Sequence, residues 1–217
     1  MQLLYYHYFQ ILSLLLAIVF YRGLKQFKLL GFIPFLAFVC FVELKTNHLS
    51  VVGGTSGYLA NYYLLASTAF YFPLLQSILK WQQVKKIVFW GIAMLVVIIV
   101  LLNYFFIQGR AKFNNESFML LSIVFSIFSM IAILKIALID EDDKHKSSQL
   151  PYFIILSVTL LFFLGSLIVL GLYNFIIFKN ITIFGKHLYN IVMPILNVIM
   201  YGGYSYVFYL CYNLTRI

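Results

Sequence analysis

Long apolar segments recur along this chain, and the short stretches between them collect most of the charged residues. The segments run approximately from Gln2 to Tyr21, Leu29 to Leu44, Tyr58 to Leu79, Ile87 to Gln108, Ser117 to Ile139, Leu150 to Phe178 and His187 to Tyr212. A helix needs about 20 residues to cross roughly 30 Å of hydrocarbon at about 1.5 Å per residue. The pattern therefore predicts an all-α membrane bundle of seven transmembrane helices in a single domain covering residues 1–217. A membrane β-barrel needs strands of about ten alternating residues, whereas Ile92 to Leu102 is apolar at every position. The second segment is short and contains Pro34, and the sixth is long enough to tilt or to bend near Gly165 or Gly171. The stretch Ile11 to Phe20 resembles a signal-peptide core but has no Lys or Arg ahead of it, so it reads as the first span.

Composition sharpens this reading. Of 217 residues, 64% are hydrophobic and 10% charged, against about a quarter charged in a typical soluble domain. No connection is long enough to hold a folded soluble domain, so any binding or chemistry belongs to the bundle, its short loops or a partner polypeptide. The net charge of +9 comes from Lys and Arg beside apolar segments, which suits topology and lipid-headgroup contact and gives no separable surface for nucleic acid.

Arg22, Lys25, Lys28, Lys80, Lys85, Lys86, Lys135, Lys144, Lys146 and Arg216 fall beside one set of alternate helix ends, and Lys45, Arg110, Lys112, Lys179 and Lys186 beside the other. Basic residues are retained in the cytoplasm. The expected orientation is N-terminus outside and C-terminus cytoplasmic, in the bacterial cytoplasmic (inner) membrane. Between the fifth and sixth spans, Asp140, Glu141, Asp142 and Asp143 precede Lys144, His145 and Lys146. This segment is a candidate contact for a cytoplasmic partner or a divalent cation, although a solvated connector of mixed charge is the simpler explanation, and it lacks the ligand spacing of an EF-hand loop.

Ionisable and amide side chains in hydrocarbon are costly, and each is a candidate for function. Lys135 sits within a turn of the expected cytoplasmic end, where its stem carries the ammonium to the headgroups. On the other side, His7, Glu43, Asn61, Asn103 and Asn190 come from five different spans at similar expected depth, with His48, Gln108 and His187 near them. They form a candidate outer polar pocket in which Glu43 is an anion balanced by His, Arg110 or Lys45. The same residues also suit a second reading, as interface polar groups and interhelical packing contacts.

No catalytic set, cofactor motif or metal-ligand spacing is present: H-E-x-x-H, H-x-x-x-H and G-x-S-x-G are all missing. The last span contains no Lys for a retinal Schiff base. Cys40 and Cys211 lie in different spans near opposite membrane faces, which argues against a disulfide. Pro194 is a candidate kink in the last span, where Gly202 and Gly203 allow close backbone approach.

Several short patterns then combine: Pro34-Phe35-Leu36 with Glu43, Asn61-Tyr62, Gln108-Gly109 with Phe113-Asn114, Phe162-Phe163-Leu164-Gly165, and Leu196-Asn197 with Tyr201. Across most of its length the chain resembles a family of small, functionally uncharacterised bacterial membrane proteins with seven helices. It departs from them at Ala66-Ser67-Thr68, where that group tends to carry an acid beside aromatics, and at Tyr152-Phe153, which replaces a Phe-Trp pair. The resemblance implies architecture and membrane location, and transfers no catalytic residue. Four functions are candidates, in this order: a sensory or accessory module coupling the outer pocket to a membrane or cytoplasmic protein partner, a small-solute transporter or channel, a structural subunit of a larger membrane complex, and an intramembrane enzyme.

Overall fold

The structure is a computed structural model that describes residues 4–51, 57–81, 83–107, 113–138, 143–173, 178–179, 182–183 and 186–216. Its helices are α1 (Tyr5–Val19), α2 (Tyr21–Gln26), α3 (Phe32–Val51), α4 (Gly57–Leu79), α5 (Gln83–Leu102), α6 (Asn115–Ala137), α7 (Asp143–Gly171) and α8 (Tyr189–Leu214). A π-helical turn, Asn103–Ile107, continues α5. A two-residue antiparallel pairing, β1 (Thr182–Ile183) with β2 (Lys186–His187), precedes α8. The last helix thus begins two residues after His187, which the sequence placed inside it.

Five helical stretches among the described residues are long and apolar enough to cross a membrane: Phe32–Leu49, Gln83–Ile107, Asn115–Ala137, Gln149–Gly171 and Asn190–Leu214. The helix Tyr5–Val19 is apolar but shorter. Helix α3 continues to Val51, past the expected end at Leu44, because Asn47 and His48 end the apolar run without ending the backbone helix. Between α1 and α2, Phe20 leaves helical geometry at φ −96° and ψ 25°.

Along α1 and α6, polar side chains are buried while large apolar ones face outward. On α1 the buried positions are His7, Gln10, Ser13 and Ala17, while Leu12, Leu15 and Ile18 are about half exposed, at 46%, 54% and 50%. Helix α6 repeats this, burying Ser117, Ser122, Ser126 and Ser129 while Ile123, Ile127, Met130 and Leu134 face outward. Water would favour the opposite arrangement; a surface of Leu, Ile and Met around a polar stripe is stable where the surroundings are lipid. The chain is an integral membrane protein.

Ring contacts fix the helix directions. Phe32 of α3 packs on Tyr204 and Phe208 of α8, while Glu43 lies against Tyr6, so α3 runs opposite to α1 and α8. Phe35 stacks on Phe70 of α4 at 4.1 Å. Phe89 of α5 meets Phe128 of α6 at 4.8 Å, with Asn103 and Ser117 paired further along, so these two helices also run in opposite senses. Helices α1 and α8 run parallel, joined by Gln10 and Tyr201 near one end and by Phe20 and Tyr212 near the other.

The centre of the bundle is aromatic. Tyr71, Phe72, Phe125 and Phe163 form a contiguous set with centroid separations of 5.1–5.3 Å. With lipid outside, there is little hydrophobic gain in bringing helices together, so close packing and interhelical hydrogen bonds carry much of the association. Glycine notches serve this on α7 and α8. A Cβ at Gly165 would stand 2.8 Å from the Leu196 side chain, and one at Gly203 would stand 2.6 Å from Val158. Gly165, a candidate bend in the sequence, lies inside an unbroken helix and receives a neighbouring side chain. Pro194 likewise sits inside the continuous helix α8.

One end of the bundle is basic. There Lys135 donates from Nζ to the carbonyl oxygen of Leu79, Tyr152 donates to the Phe27 carbonyl oxygen at 2.5 Å, and Lys28 and Lys80 close their helices with positive φ of 56° and 44°. Arg22 lies beside Tyr21 and donates from Nε to its phenol oxygen at 3.4 Å.

Candidate functional site

The polar residues at the opposite end form two groups. The first is built from α1, α3, α4 and α8. Glu43 projects from α3 where Tyr6 of α1 donates from its hydroxyl to Oε2 at 3.4 Å, a long and weak bond. Tyr6 in turn stacks on His7, with ring centroids 4.2 Å apart. Tyr63 from α4 and Tyr201 from α8 lie within electrostatic reach of the carboxylate, as does Cys40 one turn back on α3. Glu43 is closely surrounded yet keeps some exposed surface, as do Tyr6 and Tyr63, while His7 and Tyr201 are buried beneath them.

His7 engages the Leu4 backbone through Nδ1, 3.1 Å from the nitrogen and 3.2 Å from the oxygen, and its Nε2 is buried without a partner. Gln10, one turn along α1, donates from Nε2 to the Tyr201 hydroxyl at 3.1 Å. Deeper in the bundle a run of hydroxyls continues from Thr159 of α7 through Tyr204 of α8 to Tyr71 of α4, each step 2.9 Å. No cationic side chain among the described residues stands within ion-pair distance of Glu43.

The second group lies between α4, the π-helical turn and α6. Asn61 accepts the Asn114 backbone N–H at its Oδ1, 2.9 Å away, and Asn103 donates from Nδ2 to the Ser117 hydroxyl at 2.9 Å. The Asn103 Oδ1 and both polar side-chain atoms of Asn114 are buried without partners. Asn61 thereby anchors the start of α6, and Asn103 ties the end of α5 to the same helix. Both asparagines thus bond across to another segment of the chain.

No family model, curated protein or solved structure matches this chain. The functional argument therefore rests on the residues themselves. Of the five candidates for one outer pocket, His7 and Glu43 come together, Asn61 and Asn103 join a separate group, and Asn190 is exposed on the first turn of α8. Arg110, offered as a counter-charge, and Gln108 lie outside the described residues; Lys45 is exposed. Asp140, Glu141 and Asp142 of the candidate partner segment also lie outside the described residues, and Asp143 opens α7. No group of three or more His, Cys, Asp or Glu side chains capable of holding a metal occurs among the described residues.

Sequence reasoning missed Gln10, Tyr63 and Tyr201 as parts of the first group. Gln10 was accessible: polar residues three apart at His7, Gln10 and Ser13 in an otherwise apolar segment mark one helix face. Tyr63 and Tyr201 were hidden among the 17 tyrosines, most naturally read as interfacial anchors. A groove of about 480 Å³ between α4 and α5 is lined by apolar residues including Phe72, Pro73, Trp90 and Met94. It suits an acyl chain and lacks the convergent polar groups that mark a site for a polar ligand.

Proposed function

We propose that the chain is a sensory or accessory module of the bacterial cytoplasmic membrane. It spans the membrane seven times, with α1 and α4 joining the five strongest spans, its N-terminus outside and its C-terminus in the cytoplasm. Occupancy of the polar site at Glu43 alters the packing of α1 against α8, and a membrane or cytoplasmic protein partner reads the change. The resemblance to bacterial seven-helix proteins, drawn from Pro34, Glu43, Asn61 and Tyr201 with their neighbours, is consistent with this setting.

One observation carries the reading. A carboxyl group at the edge of the apolar interior accepts a hydrogen bond from the first helix and lies within electrostatic reach of Tyr201 on the last, and these two helices meet through Gln10 and Tyr201. A packing residue needs no such charge, and an ionised group in lipid costs several kcal/mol by the lower estimates. Two measurements test the reading. With Cys40 and Cys211 replaced by Ala, Lys45→Cys is expected to react with an impermeant thiol reagent from outside and Lys85→Cys only after permeabilisation; the reverse order overturns the orientation. Purification in mild detergent is expected to recover a partner chain whose association changes in Glu43→Gln, and identical recovery from both proteins overturns the coupling.

A second reading, a small-solute transporter, is favoured by the hydroxyl run from Thr159 to Tyr71, which carries polarity past the mouth of the site. Solute flux in proteoliposomes separates it from the first.

A further inference from the structure

Glu43 is an acid without a charge partner among the described residues. In a low-dielectric interior a carboxylate is held ionised by a cation or by several strong hydrogen bonds. Here it has the single long bond from Tyr6 and no cation among the described residues within ion-pair distance. Tyr6 of α1 donates to it, Tyr63 of α4, Tyr201 of α8 and Cys40 on its own helix lie within electrostatic reach, and His7 stacks on Tyr6. None of these supplies a lasting positive charge: four of the five are neutral phenols and a thiol, and His7 is a buried imidazole whose Nε2 has no partner. What they offer together is an anion, phenol oxygens, aromatic rings and one orphaned ring nitrogen.

That inventory selects among cations. A dehydrated inorganic ion in a membrane protein is usually held by several oxygens, often including backbone carbonyls freed where a helix is broken. Helices α1 and α3 are unbroken through Tyr6, His7 and Glu43, so their carbonyls are engaged within the helices. An organic ammonium has different needs. A carboxylate balances its charge, phenol oxygens accept its N–H groups, and tyrosine rings attract it through their negative faces. Nε2 of His7 is buried without a partner and is a donor or an acceptor according to which ring nitrogen carries the proton, since Nδ1 lies 3.1 Å from the Leu4 nitrogen and 3.2 Å from its oxygen.

We propose that Glu43, Tyr6, Tyr63 and Tyr201 form a receptor site for a small organic ammonium ion, with His7 beneath it. This rests on the reading of the Glu43 group as the sensing site and names the class of ligand. The ammonium could arrive as a free amine or as the headgroup of an aminophospholipid, since both present the same cation.

The full-length chain in a mild detergent is tested for binding of radiolabelled ethanolamine, and its thermal unfolding is followed by tyrosine and tryptophan emission as ethanolamine hydrochloride replaces sodium chloride at constant ionic strength. Saturable binding in the millimolar range is expected, with a rising melting temperature. Glu43→Gln is expected to weaken binding by about tenfold or more, and Glu43→Asp, which keeps the charge, to retain part of it. Acidification of the wild-type protein is expected to release the label, which gives a readout independent of whether the Gln variant folds. Repeating the binding in nanodiscs of phosphatidylglycerol with and without phosphatidylethanolamine separates the sources: competition by the lipid assigns the headgroup, and its absence assigns the free amine.

The ammonium site is overturned by absence of saturable binding to the wild type, or by binding that Glu43→Gln leaves unaltered. If melting follows pH in the wild type and not in Glu43→Gln, with no ethanolamine response, the ammonium site falls while Glu43 stands as a proton-sensing group. If ethanolamine, pH and Glu43→Gln all leave the protein unaltered, the sensing-site reading falls with it.

Discussion

Gln10 on the first helix donates a hydrogen bond to the phenol of Tyr201 on the last, across 191 positions of sequence and 3.1 Å of space. Both residues are buried, at 1% exposure each, and the bond joins two helices that run in the same direction. It makes Gln10 a structural member of the site in addition to a neighbour of it. Gln10→Leu keeps the volume and removes the donor, and is expected to destabilise the bundle by about 1 kcal/mol, the range measured for interhelical hydrogen bonds in membranes. Unfolding in mixed micelles of increasing denaturing detergent fraction measures it; a variant as stable as the parent would show that the pair contributes position and not stability.

The adjacent glycines of α8 give a paired prediction. A Cβ at Gly203 meets Val158 at 2.6 Å, whereas a Cβ at Gly202 meets nothing within 4 Å. Gly203→Ala should cost about 1–3 kcal/mol through overpacking. Gly202→Ala should be neutral or mildly stabilising, because alanine is the better helix former by about 1 kcal/mol. The same micelle titration applied to both variants checks the contrast, and equal stabilities would mean that the α7–α8 contact is looser than described.

Asn61 holds the backbone N–H of Asn114 just before α6 begins. Asn61→Leu leaves that donor buried and unpaired at a cost of about 1–3 kcal/mol. Loss of protection at the start of α6 in hydrogen exchange, with the rest of the helix unaffected, is the expected signature. A global loss of protection without a local one would contradict the anchoring role.

Helix existence was legible in the sequence because a run of apolar residues about 20 long in lipid has few alternatives to a helix. Helix ends were less so. At α3 the apolar run stops at Leu44 while the helix continues to Val51, since Asn47 and His48 are compatible with helical backbone. The break at Phe20 and the pairing of Thr182–Ile183 with Lys186–His187 left no hydropathy signal at all.

The candidate site was less legible for a related reason. Residue types and approximate depth can be read from a span, which makes Glu43 and His7 candidates; in the structure each contacts Tyr6. Direction around the helix axis cannot be read when a segment is apolar on every side. Asn61 and Asn103 therefore shared an expected depth with Glu43 but turn toward α6, and Asn190 turns outward. Packing between helices decides that angle, and it involves residues far apart in the chain.

The two glycine notches are reciprocal, since Leu196 of α8 enters the notch at Gly165 of α7 and Val158 of α7 enters the notch at Gly203 of α8. Sliding of α8 along α7 would require both side chains to leave their notches together, so the pair resists axial displacement. Tyr201 stands on α8 two residues from Gly203, inside the stretch that this interlock holds in register.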